Sequence, residues 1–91
     1  MQDKKHKYLH LSKVIGEVVR SYRINNVKKS TTKLADEYAL NSGTLSKIEN
    51  GNNSCKVQTL WEFAEAMGIK LSDLFKIIEE KLGEDFTLID E

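Results

Sequence analysis

Residues 34–51 read LADEYALNSGTLSKIENG, and this stretch decides the fold. The apolar residues follow helical spacing on either side of a break near residues 39–41, which predicts two short helices joined by a turn of about three residues. The side chains predicted to face inward are Leu34, Ala35, Tyr38, Leu45 and Ile48. Asn41 and Ser42 can cap the second helix, and Asn50-Gly51 can end it. The first helix of the pair has candidate caps in the preceding Ser-Thr-Thr segment at 30–32.

Three further helices are predicted around this pair. The first covers about residues 11–25, the fourth starts near Val57 and ends at Gly68, and the fifth starts near Leu71. The apolar faces of these helices are Val14, Ile15, Val18, Val19 and Tyr22; Val57, Leu60, Phe63, Ala64 and Met67; and Leu74, Phe75, Ile77, Ile78 and Leu82. We therefore predict one all-α domain of five helices at residues 11–82, a basic tail at 1–10 and an acidic tail at 83–91. The last segment is either a short strand or a frayed end.

The charges are unevenly distributed along a chain whose net charge is zero. Residues 1–33 hold nine Lys and Arg against two acids, giving +7, and residues 34–91 hold five against twelve, giving −7. A zero total argues against a nucleic-acid partner, because phosphate binding normally needs an excess of positive charge. The separation of the two signs supplies that excess in one half of the molecule.

Several classes of protein are excluded by what the sequence lacks. No run of about 18 apolar residues would span a membrane, and the charged N-terminus has no apolar region behind it, so we expect a cytoplasmic protein. The single Cys55 has no disulfide partner. His6 and His10 have helical spacing but no third ligand, so we expect no metal. With no nucleophile–base pairing, phosphate loop or carboxylate dyad, we expect neither an enzyme nor a cofactor.

Two short helices joined so tightly cross steeply and leave the polar face of the second helix exposed. This is the geometry of a helix-turn-helix, in which the small Ala35 lets the helices approach closely. The polar residues left outside are Ser42, Gly43, Ser46 and Lys47. We therefore predict that residues 41–49 form a helix able to lie in the major groove of double-stranded DNA.

From about Ile15 to Phe75 the chain resembles the XRE family of bacterial and phage regulators, which includes the lambdoid phage repressors and Cro proteins. The string SKIENG at 46–51 is the most specific part of the resemblance. The other matching motifs are Leu34-Ala35, Thr44-Leu45, Thr59-Leu60, Ala64, Ala66-Met67-Gly68 and Asp73-Leu74-Phe75. The resemblance implies a lambda-repressor-like fold and sequence-specific DNA binding.

The resemblance also implies roles for particular residues. Those expected to meet base edges or flanking phosphates are Ser42, Gly43, Thr44, Ser46 and Lys47. Those expected to face the DNA backbone are Thr31, Asn50, Asn52, Asn53, Lys28, Lys29 and Lys33. Arg23 and Glu49 match a structural pair that joins the first helix to the end of the third. Because the base-facing side chains are short, we expect Lys47, phosphate contacts and DNA shape to supply much of the selectivity.

Two departures from the family pattern bear on the fold. Ala39 stands where the family usually has Gly, which would cost about 1 kcal/mol if the residue must be left-handed. Lys29 stands where an apolar residue is usual, so we expect Val27 to fill the gap. The predicted fold is compatible with both departures.

The resulting hypothesis is a homodimeric repressor on a two-fold operator. Trp61 either covers the edge of the core or anchors the dimer, and we predict the dimer contact. One alternative is an antitoxin that represses its own operon while its tail, residues 86–89, binds a toxin. The other alternative is a protein-interaction module that has lost DNA binding.

Overall fold

The chain forms five α-helices in a computed structural model that describes residues 4–52 and 54–89. The helices are α1 (Lys4–Tyr22), α2 (Thr31–Glu37), α3 (Ser42–Glu49), α4 (Val57–Ala66) and α5 (Leu71–Leu82). A π-helical segment, Arg23–Val27, directly follows α1. No strand occurs within these described residues. The prediction of an all-α domain with five helices is confirmed.

One apolar core receives side chains from all five helices. α1 packs against α3 and α5, α2 packs against α3, and α4 packs against α5. The buried apolar residues are Val14, Val18, Val19, Leu34, Ala35, Leu45, Ile48, Leu60, Phe63, Ala64, Ala66, Met67, Leu74 and Ile78. Val27 packs against the edge of this core, as predicted. Burial of this apolar surface is the main force that holds the short helices together.

The first turns of α2 and α3 are capped by the residues that the sequence singles out. The Ser30 hydroxyl accepts a hydrogen bond from the Lys33 amide at 3.1 Å. The side-chain oxygen of Asn41 accepts one from the Thr44 amide, also at 3.1 Å. Each cap satisfies an amide that has no partner within its own helix.

Three helices end in the same backbone arrangement, with a left-handed residue directly after the cap. In α3 and α4 that residue is Gly51 and Gly68, but in α2 it is Ala39, whose φ is 55°. The Leu40 amide donates to the Ala35 carbonyl at 2.8 Å, which closes the turn. Ala39 therefore adopts the left-handed conformation that the family pattern implies. This conformation is unfavourable for alanine, because its Cβ comes close to the following carbonyl oxygen.

The start of α1 corrects the prediction. The helix begins at Lys4 and not near Leu11, so residues 4–10 of the predicted basic tail are helical. Residues 83–89 form neither a helix nor a strand and fold back along this added part of α1. The Phe86 ring lies 5.9 Å from the His10 ring, and Leu88 lies near Tyr8. The first turns of α1 therefore contact the segment at residues 83–89. The local sequence gives no signal for contacts between segments so far apart in the chain.

Four side chains predicted to lie on apolar helix faces are exposed, and two of them, Phe75 and Ile77, lie on α5 at 37% and 39% exposure. Tyr38 is 51% exposed and Val57 is 56% exposed. Tyr38 is the C-cap residue of α2, where the chain already turns away from the helix axis. Val57 is the first residue of α4 and lies beyond the edge of the core. Periodicity is a weak guide at helix ends, because the helical phase starts or stops there.

Among the described residues, no helix is both long enough and apolar enough to cross a membrane.

Candidate nucleic-acid interface

The polar face of α3 is open to solvent. Gly43, Lys47 and Asn50 are exposed, while Leu45 and Ile48 on the opposite side are buried in the core. The remaining predicted reading residues, all half-buried, are Ser42, Thr44 and Ser46. This arrangement brings the predicted reading positions onto one short helix whose other face is anchored.

Arg23 and Glu49 make the contact that the family pattern implies. Arg23 Nε donates to Glu49 Oε2 at 2.7 Å, and Arg23 Nη2 donates to Glu49 Oε1 at 2.9 Å. Both side chains are largely shielded, at 12% and 5% exposure. The hydrogen bonds to Glu49 outweigh burial and raise the pKa of Arg23. Such a two-point contact fixes the angle between α1 and α3.

The same guanidinium also holds the segment that leads into α2. Arg23 Nη1 donates to the Lys29 carbonyl oxygen at 2.8 Å. One side chain thus joins three parts of the structure: the end of α1, the end of α3 and the start of α2. Lys28 and Lys33, exposed on either side of this junction, and the half-buried Thr31 lie at the predicted phosphate-facing edge.

Lys29 belongs to the same edge but already has a carboxylate partner. Its ammonium lies 2.6 Å from Glu37 Oε2, and the hydrogen bond to Glu37 raises the pKa of Lys29. The pair is exposed to solvent, so a phosphate can compete with Glu37 for the ammonium. Lys29 therefore differs from Lys28 and Lys33, which form no ion pair with another described residue.

The segment after α3 supplies the remaining predicted backbone contacts. Asn50 and Asn52 are both exposed at the end of α3, and the Asn52 amide donates to the Lys47 carbonyl. Asn53, predicted to act with them, lies outside the described residues. The neighbouring Cys55 thiol is half-buried, and desolvation raises its pKa.

Two glycines that fix the position of α3 against α1 were not predicted from the sequence to have this role. A Cβ on Gly16 would lie 2.6 Å from the Glu49 carbonyl oxygen and nearer still to that of Ile48. A Cβ on Gly51 would lie 2.8 Å from the Lys13 Cα. α1 can therefore run directly against the end of α3 only because both positions lack a side chain. A glycine inside the apolar pattern of α1 was the available signal for Gly16.

Trp61 lies apart from this surface. Its side chain is 52% exposed. It borders an open apolar groove together with Ile69, Leu71 and Phe75, at the junction of α4 and α5. We call these four residues the Trp61 patch.

α2 and α3 are two capped helices joined by a tight turn, and α3 is braced by Arg23 with its polar face open to solvent. A family model described as the Cro/C1-type HTH DNA-binding domain matches residues 23–80. The chain belongs to this family. The match begins at Arg23, the residue that braces α3, and includes α2, α3 and α4 together with most of α5. No curated protein and no solved structure matches the chain significantly.

Membership in the Cro/C1-type family makes this chain a DNA-binding regulatory domain. The family match does not include α1 or the tail that folds onto it. Gly16 and Lys13 lie on α1, ahead of the first matched residue. Within the described residues, no group of three or more His, Cys, Asp or Glu side chains is arranged to hold a metal ion.

Proposed function

We propose that the chain is a sequence-specific transcriptional repressor that binds duplex DNA as a homodimer, with α3 as its recognition helix. The observation that carries this proposal is the open polar face of α3, where Gly43, Lys47 and Asn50 are exposed above the buried Leu45 and Ile48. A helix presented in this way fits a major groove about 12 Å wide. The Cro/C1-type family match supports the same assignment.

Contacts to the DNA backbone would fix the orientation of α3 in the groove. Exposed Lys28 and Lys33 at the start of α2, and Asn50 and Asn52 at the end of α3, are suited to phosphate oxygens. Thr31, in the first turn of α2, would present its amide to a phosphate. These contacts carry no sequence information of their own, so they set affinity and register rather than base preference.

Base preference would depend mainly on Lys47. The other reading positions, Ser42, Gly43, Thr44 and Ser46, are too short for the two-point contacts that Arg, Asn or Gln make with bases. The Lys47 side chain is long, exposed and charged. Sequence-dependent groove width would supply a further part of the selectivity.

The Trp61 patch supports the homodimer. Trp61 is 52% exposed and Phe75 is 37% exposed, and both border the same groove as Ile69 and Leu71. Exposed aromatic side chains within an apolar patch are typical of the centre of a protein–protein interface. A second copy related by a two-fold axis would cover the patch and present two α3 helices to half-sites about one helical turn apart.

The packing of the tail favours the plain repressor over the antitoxin alternative. Phe86 contacts His10, and Leu88 is half-buried beside α1. A toxin that paired with this segment by strand addition would first have to displace both side chains. Co-purification of a small protein encoded next to this chain would favour the antitoxin instead.

A binding-site selection from a random duplex library, followed by footprinting and a salt titration, tests the DNA-binding proposal. We expect an enriched site with two-fold symmetry and a steep loss of affinity between about 50 and 200 mM salt. Lys47→Gln should lower affinity and change the selected sequence. Lys28→Gln should weaken all duplexes alike. A chain that binds no duplex even in dilute buffer would overturn the proposal.

Sedimentation tests the proposed interface separately. We expect the wild-type chain to sediment as a dimer and Trp61→Ala to shift it toward the monomer. Ile89→Ala is the matched control, because Ile89 is also exposed but lies outside the Trp61 patch. A Trp61→Ala variant that remains dimeric would remove the patch from the interface.

A further inference from the structure

We infer that Lys13 and Arg20, both on α1, bind DNA backbone phosphates and extend the DNA contact surface beyond the matched family domain. This inference rests on the proposed DNA-binding function. It concerns residues that precede the family match, which starts at residue 23.

The position of Lys13 is set by a close helix contact. Gly51, the buried residue that ends α3, lies so near α1 that an added Cβ would be 2.8 Å from the Lys13 Cα. Lys13 therefore lies against Gly51, which stands in the chain between Asn50 and Asn52, the exposed residues proposed to contact the DNA backbone. The Lys13 side chain is itself exposed.

Arg20 lies on the same side of α1. Residues 13, 16, 20 and 23 are separated by three or four positions, so they follow one face of the helix. Two other members of this face meet the end of α3: Gly16 approaches the Glu49 carbonyl oxygen, and Arg23 forms the ion pair with Glu49. Arg20, which is exposed, lies between them along α1.

The charges of Lys13 and Arg20 are not neutralised within the described structure. Among the described residues, neither side chain forms an ion pair, whereas Lys81 is paired with Glu17 at 3.0 Å. About 10 Å of helix separates Lys13 from Arg20, since each residue adds about 1.5 Å. Two positive charges therefore lie on the side of α1 that meets the end of α3, without an ion-pair partner among the described residues.

The experiment compares the salt dependence of DNA affinity for matched double variants. The probes are a duplex selected by the wild-type protein and a scrambled duplex of the same length and composition. We expect Lys13→Gln with Arg20→Gln to weaken binding of both duplexes by the same factor. The slope of log affinity against log salt should become shallower by about 0.9 for each lost phosphate contact.

Two control variants separate a phosphate contact from the alternatives. Lys70→Gln with Lys76→Gln makes the same change in net charge at α5, where neither side chain forms an ion pair with another described residue, and should leave the slope close to wild type. Lys13→Arg with Arg20→Lys keeps both charges and should retain the wild-type slope.

Three outcomes would overturn the inference. If the neutral α1 variant keeps the wild-type slope while the wild-type protein binds DNA, α1 makes no phosphate contact and the proposed function stands. If the charge-preserving variant loses as much affinity as the neutral one, the two side chains act by packing alone. If the wild-type protein binds neither duplex, the inference fails together with the proposed function.

Discussion

Arg23 and Glu49 connect the end of α1 to the end of α3 through two parallel hydrogen bonds of 2.7 and 2.9 Å. The pair is largely shielded from solvent, so removal of one partner leaves the other as a desolvated charge. Since α3 carries the proposed reading face, the same contact contributes to the stability of the domain and to the orientation of its recognition helix.

We expect Arg23→Ala to lower the free energy of unfolding by about 1.5 to 3 kcal/mol, the range for hydrogen bonds to charged groups. Arg23→Lys should recover only part of the loss, because lysine cannot make the two-point contact. Urea denaturation measures both effects. The exposed Glu17–Lys81 pair is the control, and Lys81→Ala should cost at most about 1 kcal/mol. Equal losses for the two pairs would contradict the bracing role of Arg23.

We expect Ala39→Gly to stabilise the domain by about 0.5 to 1 kcal/mol. The left-handed conformation at this position costs an alanine about 1 to 2 kcal/mol, and part of the gain is lost to the greater freedom of glycine in the unfolded chain. Thermal denaturation measures the change. Gly68→Ala is the reverse test, since Gly68 ends α4 in the same conformation, with φ of 76°, and an added Cβ meets nothing within 4 Å. If both substitutions shifted stability in the same direction, the conformational argument would be wrong.

We expect Gly16→Ala to destabilise the domain, although an alanine inside a helix is normally favourable by about 1 kcal/mol. The new Cβ would overlap the carbonyl oxygens at the end of α3, and such overpacking costs about 1 to 3 kcal/mol or more. DNA affinity should fall as well, because α3 must move away from α1. Ser21→Ala, at an exposed position of α1, should change stability by less than about 0.5 kcal/mol. A stabilising Gly16→Ala would contradict the close contact.

We expect the Cys55 thiol to react slowly with iodoacetamide in the folded protein. Desolvation raises its pKa, so less of the reactive thiolate is present near neutral pH than in the urea-unfolded chain. The dependence of the alkylation rate on pH should give a higher pKa for the Cys55 thiol in the folded protein than in the unfolded chain. A pKa that is higher in the folded state stabilises the fold below the unfolded pKa, and this contribution is lost as pH rises through the folded pKa. Cys55→Ser should remove that alkaline loss, whereas equal pKa values in both states would contradict the burial.

The local sequence was sufficient to predict α2, α3 and their caps. Short-range signals act within one turn, so Ser30 and Asn41 cap the helices that follow them regardless of the rest of the chain. The same signals predicted that Leu45 and Ile48 face the core while Lys47 stays outside. The pairing of Arg23 with Glu49 came from the family resemblance, because no local pattern relates residues that far apart.

Only the tertiary structure decided where α1 begins and how it meets α3. The turns of α1 that start at Lys4 are covered by a tail almost eighty positions later in the chain, and periodicity says nothing about such contacts. The same holds for Gly16 against Ile48 and for Lys13 against Gly51, since each contact depends on the angle at which two helices cross. Sequence periodicity defines the apolar side of each helix, whereas the packing of all five helices decides which neighbour that side meets and which charges are left facing outward.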